Sequence, residues 1–276
     1  MPRLSMNEMT TFRWSFEEDV QHYKAAGYAA IGVWRQKLAD FGEERGIELL
    51  HESGLGVSNL MWAGGFTGSD GHTHRESIDD ALEAIRLAGA MRAGSLVVYT
   101  GSRAGHTVNH ARRLLLTALK ELAPVAEQHG LRLALEPMHT SCAHEWTFLT
   151  GLDDALGLLD QVGSRAVQLA YDTYHLGWQP GAAERIRGLV ERVAVVHLAD
   201  GNLPSDSEQT RTRLGEGQVP LAEILTAFHQ AGYDGDYDIE LIGPDLERTD
   251  YSQLLEHSRA AYEKLMQKAG AGAAPV

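Results

Sequence analysis

The sequence has few of the features that would place a chain outside a reducing compartment or in a membrane. Cys142 is the only cysteine among 276 residues, so no internal disulfide can form, as is typical of proteins in a reducing environment. No segment approaches the roughly 20 apolar residues of a membrane helix, and the N-terminus has no apolar stretch of signal-peptide length. We therefore expect a cytoplasmic protein that does not bind membranes.

Positive charge is also scarce, which makes nucleic acid an unlikely class of partner. Lysine and arginine number 24 against 38 aspartate and glutamate residues, and the net charge of −14 repels a phosphate backbone. A dinucleotide site is not indicated either, because Gly64-Gly65 and Gly215-Glu216-Gly217 do not follow a strand and open a helix. What remains is a chain with 43% apolar residues, long enough to bury a full core.

The chain alternates helical and strand patterns with short connections, which is typical of βα units and a parallel sheet. A glycine repeatedly ends a helix a few residues before the next strand, at Gly27, Gly130, Gly163 and Gly232. The pattern predicts an α/β fold, a single (β/α)₈ TIM barrel spanning residues 1–276, with 269–276 as a disordered tail. The predicted strands are 8–14, 30–34, 56–62, 95–100, 131–136, 167–172, 193–198 and 237–241.

Helix signals fit between these strands. Capping boxes are predicted at Ser15 to Glu18 and at Ser77 to Asp80. The longest helix is expected over 114–129, and a helix over 254–269 is expected to close the barrel. Two long loops, 63–76 and 201–219, are of a length that is usually functional or mobile.

Four apolar strands in the second half of the chain each end on one ionisable residue. These residues are Glu136, Asp172, His197 and Glu240. Each one alone could end a strand by chance and form a local salt bridge. Because the carboxyl ends of parallel barrel strands converge, four consecutive endings of this kind instead predict one shared site at that face.

Three carboxylates brought together would repel one another, and a divalent cation is the simplest way to keep them ionised. Three oxygen ligands and one imidazole suit Mn²⁺, our preferred cofactor, and also Mg²⁺, Co²⁺ or Zn²⁺. We therefore predict one divalent metal ion, held by the four residues.

Neighbouring residues extend this prediction. His175 follows Asp172 by three residues and should overhang the same mouth, while Asp200 follows His197 by three and could orient its imidazole. Arg211 or Arg213 could hold a substrate oxygen. Further substrate contacts are predicted at His139 and, as aromatic faces beside a sugar, at Trp62 and Trp178, whereas Trp34 is expected to pack in the barrel and Cys142 to play no part.

The order Glu136, Asp172-Thr-Tyr-His175, His197-Leu-Ala-Asp200, Arg211, Gly215-Glu-Gly217 and Glu240 resembles the xylose-isomerase-like barrel superfamily, over roughly residues 15–260. The branch it resembles is the sugar phosphate isomerase/epimerase group. That resemblance implies that the four strand-end residues bind one metal, and that Glu136 and Glu240 double as the acid/base pair. It also implies that His175 and the arginine before the Gly-Glu-Gly turn, with Arg211 favoured, contact the substrate.

The expected function is a metal-dependent isomerase or epimerase of a sugar or keto-polyol, acting through an enediolate. A homo-oligomer is left open beside a monomer. A lyase, either an inosose-type dehydratase or an enzyme that eliminates from keto-glycosides, shares the first proton transfer and is the alternative. A repair endonuclease of the same fold would need more histidine ligands at its strand ends and less negative charge. A non-catalytic sugar-binding protein would not need two glutamates on one metal.

Overall fold

The computed structural model describes residues 2–202 and 210–271, and its centre is a closed barrel of eight parallel strands. Each strand pairs with its neighbours in chain order, and the first pairs with the last. The predicted (β/α)₈ TIM barrel is confirmed. The barrel strands are β1 (Arg3–Asn7), β2 (Ala30–Trp34), β3 (Gly56–Gly64), β4 (Ser95–Tyr99), β5 (Arg132–Leu135), β6 (Val167–Asp172), β7 (Val193–Leu198) and β8 (Asp236–Ile239).

Helices surround the barrel and connect its strands. Four predicted helix-ending glycines, at positions 27, 130, 163 and 232, all have positive φ angles, which glycine adopts without a Cβ clash. None of the described helices combines the length and the apolar character that a membrane span requires. The helices are α1 (Phe16–Ala25), α2 (Arg35–Phe41), α3 (Glu43–Ser53), α4 (His74–Ala90), α5 (Val108–Gln128), α6 (Leu152–Val162), α7 (Thr173–Leu176), α8 (Ala182–Ile186), α9 (Leu221–Gln230), α10 (Pro244–Glu247) and α11 (Tyr251–Ala271), with 3₁₀ turns at Thr140–His144 and Val190–Arg192.

The barrel contains two separate apolar clusters. The larger one lies between the strands and the surrounding helices, while a small one fills the barrel interior. Strand residues alternate between these two sides, so the residue two positions after an interior residue also faces inward. The interior cluster consists of Met61, Val97, Ala134, Ala170, Ala194 and Val195.

The prediction of the first strand was wrong. The strand is Arg3–Asn7, and residues 8–14 form turns above it. Polar side chains of this segment can be buried because backbone groups at the strand ends form hydrogen bonds with them. Glu8 accepts a hydrogen bond from the backbone N–H of Trp34, and Thr10 donates one to the carbonyl of Ile239. The sequence signal for β1 was a short run in which the apolar Leu4 and Met6 alternate with polar residues. The polar residues are the ones that face into the barrel.

Two smaller predictions also need correction. The capping box at Ser15 is confirmed, but α4 begins after Thr73, whose side chain accepts from the N–H of Glu76, so the box predicted at Ser77 is wrong. The predicted tail begins too early, because α11 continues to Ala271 and Ala269 is fully buried. Part of the second long loop, residues 203–209, lies outside the described residues, as do residues 272–276.

Candidate metal centre

Glu136, Asp172, His197 and Glu240 lie together at the carboxyl ends of β5 to β8. Asp172 and His197 belong to their strands, while Glu136 and Glu240 come one residue after β5 and β8. The backbone N–H groups of these two glutamates still donate to the neighbouring strands, at the carbonyls of Val98 and Leu198, so both are held rigidly. One ligand atom from each of the four side chains lies within 4.8 Å of the others, and all four residues are buried.

The imidazole of His197 lies between the two glutamates. Its Nδ1 atom is 3.2 Å from Oε1 of Glu136 and 3.1 Å from Oε2 of Glu240. Although burial alone would lower the pKa of His197, the hydrogen bonds and charges of these carboxylates raise that pKa well above its usual value. The two carboxylates thus favour positive charge at this position.

Arg211 closes the other side of the cluster. Its guanidinium lies 2.8 Å from Oδ2 of Asp172 and 3.1 Å from Oε1 of Glu240, and the side chain is almost completely buried. Burial raises the pKa of Asp172, although Arg211 partly offsets this effect. For Glu240 the positive charge of Arg211 and the bond to His197 outweigh burial and hold the pKa below its usual value.

This donor set fits a divalent cation. Three buried carboxylates face one arginine and one imidazole, so negative charge is in excess whenever His197 is neutral. Oε2 of Glu240 is buried, and beyond its 3.1 Å contact with Nδ1 of His197 it has no well-formed hydrogen bond within the described part of the chain. Since a buried carboxylate oxygen is normally satisfied, a lone pair aimed into the cluster is what a metal ligand requires.

His175 lies at the edge of the cluster as a neutral imidazole. It is buried on α7, which Asp172 caps by accepting the N–H groups of Tyr174 and His175. Burial and the nearby Arg211 lower the pKa of His175 to about 3. Its Nδ1 accepts the backbone N–H of His139 at 3.2 Å, so the proton is on Nε2, where it can be donated.

The hydrogen bond from the backbone N–H of His139 to His175 also shows where His139 lies. Its side chain bonds to Ser141 and lies outside the residues that line the pocket, while its backbone orients His175. The structure therefore places His139 where it supports a neighbouring residue, and the predicted direct contact with a substrate is not supported by its position.

Asp200 does not orient His197 as predicted. Its carboxylate accepts backbone N–H groups at Gly201, Gly215, Gly217 and Val219, with distances between 2.9 and 3.2 Å. The predicted contact fails because the aspartate side chain turns toward the glycine-rich turn after Arg211. Glycine is required at 217, where a Cβ atom would lie 2.2 Å from Asp200 Oδ1. Asp200 thus fixes the turn that follows Arg211.

An open cavity of about 490 Å³ lies above the cluster. Arg211 lines it and Arg213 does not, which agrees with the preference for Arg211. Trp62 lines it as expected, but Trp178 packs against the outer hydrophobic core instead. The residues that line the cavity are Met9, Met61, Trp62, Tyr99, Glu136, Met138, Cys142, Trp146, His175, Arg211, Glu240 and Ile242.

Several members of this lining were missed by sequence reasoning, including Trp146 and Tyr99. Trp146 meets Trp62 edge-on, with ring centroids 5.6 Å apart, and Tyr99 joins the same aromatic group. Cys142 also lines the cavity, and its expected lack of a role stays a prediction. Trp146 and Cys142 lie in the irregular segment after β5, where no periodic pattern reveals which side chains turn inward.

Comparison with known families gives an independent result. Residues 20–262 match the family model described as xylose isomerase-like TIM barrel. The chain belongs to this family. The family match therefore covers nearly the whole chain and includes the four clustered residues.

Named relatives of this family member include two sugar-converting enzymes. An inosose isomerase from Bacillus velezensis is 21% identical over 96% of this chain and 98% of its own length. A D-psicose 3-epimerase from Enterocloster bolteae is 30% identical over a shorter stretch, 42% of this chain and 36% of that protein. The chain thus spans only about a third of the epimerase in that match. The solved structure of the IolI protein with a bound zinc atom has a TM-score of 0.83 at 18% identity, covering 97% of this chain and 99% of that one.

Proposed function

We propose that this protein is a divalent-metal-dependent isomerase or epimerase of a sugar or keto-polyol. The observation that carries the proposal is the buried cluster at the ends of β5 to β8, in which two glutamates flank one imidazole beneath an open cavity. Relatives named inosose isomerase and D-psicose 3-epimerase support the same class of reaction.

Glu136, Asp172, His197 and Glu240 are the residues that would hold the metal. Three carboxylate oxygens and one imidazole nitrogen favour Mn²⁺, and the same set accepts Co²⁺, Zn²⁺ or Mg²⁺. When bound, a divalent cation supplies Lewis-acid polarisation of a carbonyl and the adjacent hydroxyl group. The zinc atom in the IolI structure supports the choice of a divalent ion on this fold.

The two glutamates would move the proton. Glu240 would accept the proton α to a substrate carbonyl, and the charges of Arg211 and His197 outweigh burial and favour its ionised form by holding its pKa below the usual value. Glu136 approaches from β5, across the cluster from β8, and can return a proton to the intermediate. Return to the opposite face of the same carbon gives epimerisation, and return to the neighbouring carbon gives isomerisation.

His175 and Arg211 would orient the substrate. Nε2 of His175 carries a proton that can be donated to a substrate oxygen, and the guanidinium of Arg211 lies 3.5 Å from that same nitrogen. Trp62, Trp146 and methionine side chains also line the cavity and would exclude water from the reacting carbons.

The test is proton NMR in D₂O on chelator-treated protein reloaded with Mg²⁺, a diamagnetic ion that leaves the spectrum sharp. Ketoses, inososes and 3-keto-glycosides are incubated separately, and the C–H signal α to the carbonyl is followed. We expect this signal to disappear with at least one substrate class and to persist when chelator is present. Product signals then distinguish an epimerase or isomerase from a lyase.

Loss of the signal at the same rate in the presence of chelator would contradict the metal-dependent mechanism. Persistence across the whole panel, in protein shown to contain metal, would contradict the assignment to keto sugars. The Glu240→Gln variant is the matched control, because it keeps the shape of the side chain and removes its capacity to accept a proton.

A further inference from the structure

A second groove lies beside the cavity above the metal centre, and the proposed reaction does not use it. This open groove has a volume of about 700 Å³ and is found where β2 and β3 end at the mouth of the barrel. Met61 and Trp62 line both the cavity and the groove, so the groove begins at the wall of the cavity. A substrate held over the metal can therefore continue past Trp62 into the groove.

One side of the groove is aromatic. Trp34, the last residue of β2, lines it and is only partly buried. The ring of Trp34 contacts that of Phe12, with centroids 5.6 Å apart, and Phe12 is 51% exposed. Within the described part of the chain, the only other large apolar side chain exposed to this degree is Val108, on α5. An exposed aromatic surface with polar residues at its rim is typical of a ligand-binding groove.

Hydrogen bonds hold this part of the mouth in a fixed shape. The backbone N–H of Trp34 donates to Oε2 of Glu8 at 2.7 Å. Arg35 forms a two-point ion pair with Asp80 of α4, with both N–O distances at 2.8 Å, and donates to the carbonyl of Trp62 at 3.3 Å. The ends of β2 and β3 are thus tied to α4, so the groove is formed before a ligand binds.

The charges along the groove favour a neutral ligand. Among the described residues that line it, Arg35 is the one cation, and its guanidinium is already paired with Asp80. Glu43 adds a negative charge, which would repel a phosphate group. The amide of Gln36 and the carboxylate of Glu43 can instead form hydrogen bonds with hydroxyl groups. Aromatic faces beside such groups suit a sugar ring, which has an apolar C–H face and a hydroxylated edge.

We propose that this groove binds the second sugar ring of a neutral, glycosylated keto sugar whose carbonyl end lies over the metal. The proposal rests on the function put forward above and narrows its substrate class. Trp62 lies between the two rings, and Trp34 and Phe12 contact the C–H face of the outer ring. Gln36 and Glu43 bond to the hydroxyl groups of that ring. A phosphorylated monosaccharide would gain no contact in the groove.

The first test follows the indole N–H signals of ¹⁵N-labelled, Mg²⁺-loaded protein during titration with two pairs of sugars. One pair is isomaltulose, a glucosyl-fructose, and fructose; the other is 3-ketosucrose and 3-ketoglucose. The signals of Trp34 and Trp62 are assigned with the Trp34→Phe and Trp62→Phe variants. We expect at least one disaccharide to shift both signals, and its monosaccharide to shift that of Trp62 alone.

The other outcomes separate this proposal from the proposed function. A shift of the Trp62 signal with no shift of the Trp34 signal, for both disaccharides, would overturn the groove and leave the function intact. No shift of either signal with any of the sugars would contradict both. A Trp34 signal that changes with protein concentration alone and does not respond to sugar would overturn the proposal, because a second copy of the chain would then cover this face.

The second test measures KM for the pair of sugars that shows exchange in D₂O. Phe12→Ala and Trp34→Ala each remove part of the aromatic side, and we expect KM for the disaccharide to rise about threefold to tenfold more than KM for the monosaccharide. Phe12 is half exposed, so its variant remains informative if the Trp34 variant fails to fold. Val108→Ala, which removes a similarly exposed side chain outside the groove, is the control and should change neither constant. Equal changes for both sugars would overturn the proposal.

Discussion

The two halves of the barrel bury charge in different ways. In the first half Lys37 is buried and bonds to the carbonyls of Glu8 and Thr11 and, at 2.5 Å, to Asp19. Burial and the charge of Asp19 raise the pKa of Glu8 well above its usual value, which favours the neutral form of Glu8 and leaves Asp19 as the carboxylate paired with Lys37. In the second half three carboxylates face Arg211 and one imidazole. The balanced network around Lys37 stabilises the loop after β1. The excess of carboxylates around Arg211 instead favours binding of a cation.

The largest expected effect comes from removing the proton-transfer groups in the second half of the barrel. Glu240→Gln and Glu136→Gln each remove a proton-transfer group, so we expect kcat to fall about 10²-fold to 10⁴-fold at saturating metal. The measurement is turnover of whichever substrate shows exchange in D₂O. Glu216→Gln, an exposed glutamate in the turn after Arg211, is the control and should retain wild-type turnover. Normal turnover in both site variants would remove the assignment of the acid/base pair.

The corresponding change in the first half should damage stability without affecting the metal. Lys37→Met leaves Asp19 buried without its partner, which costs about 3–5 kcal/mol of unfolding free energy. Urea unfolding measures this cost, and Mn²⁺ binding to the folded variant should match the wild type. Lys120→Met, at an exposed position on α5, is the control and should change stability by less than about 0.5 kcal/mol. A metal defect in the Lys37 variant would mean that the two halves are coupled.

The pH dependence of stability sharpens the comparison further. His175 has a folded-state pKa of about 3, below the 6.5 of an unperturbed histidine, so the unfolded chain binds more protons between these values. The stability contributed by a neutral His175 is therefore present above pH 6.5 and is lost as the pH falls toward 3. We expect the metal-free wild type to lose about 3 kcal/mol more than His175→Asn between pH 6.5 and pH 4. Parallel pH profiles for the two proteins would contradict a neutral, buried imidazole.

The smallest expected effect concerns the cavity wall. Trp146→Leu removes one ring of the aromatic group formed with Trp62 and Tyr99, and we expect KM to rise about tenfold with little change in kcat. Steady-state kinetics on the identified substrate measures both constants. Trp178→Leu, outside the cavity, is the control and should leave KM unchanged. A large fall in kcat for the Trp146 variant would place this ring closer to the chemistry than the wall position implies.

Apolar runs explain what the sequence could predict, and β2 in the first half was also predicted with its correct bounds, 30–34. The bounds of β6 and β7 were predicted correctly, because each is a nearly continuous apolar run that closes on one ionisable residue. The same signal predicted Glu136 and Glu240 as site residues. Both lie one residue beyond their strands, where their backbone N–H groups still bond to the neighbouring strand. The carboxyl ends of parallel strands must meet, so the cluster follows from topology once the barrel is recognised.

Features that depend on contacts between distant segments were not predictable in this way. Residues 8–14 look extended but form turns, because their polar groups bond to the ends of β2 and β8. The direction of Asp200 depends on the glycine turn at 215–217, and the inward position of Trp146 depends on an irregular segment.

The measurement that tests the central claim most directly is titration of chelator-treated protein with Mn²⁺, followed by electron paramagnetic resonance of the free ion. Our account predicts one tightly bound Mn²⁺ per chain in the wild type, and loss of that binding when Asp172 and His197 are both replaced by alanine. Absence of tight binding in the folded wild type, or unchanged binding in the double variant, would contradict the conclusion that the ends of β5 to β8 form a metal site.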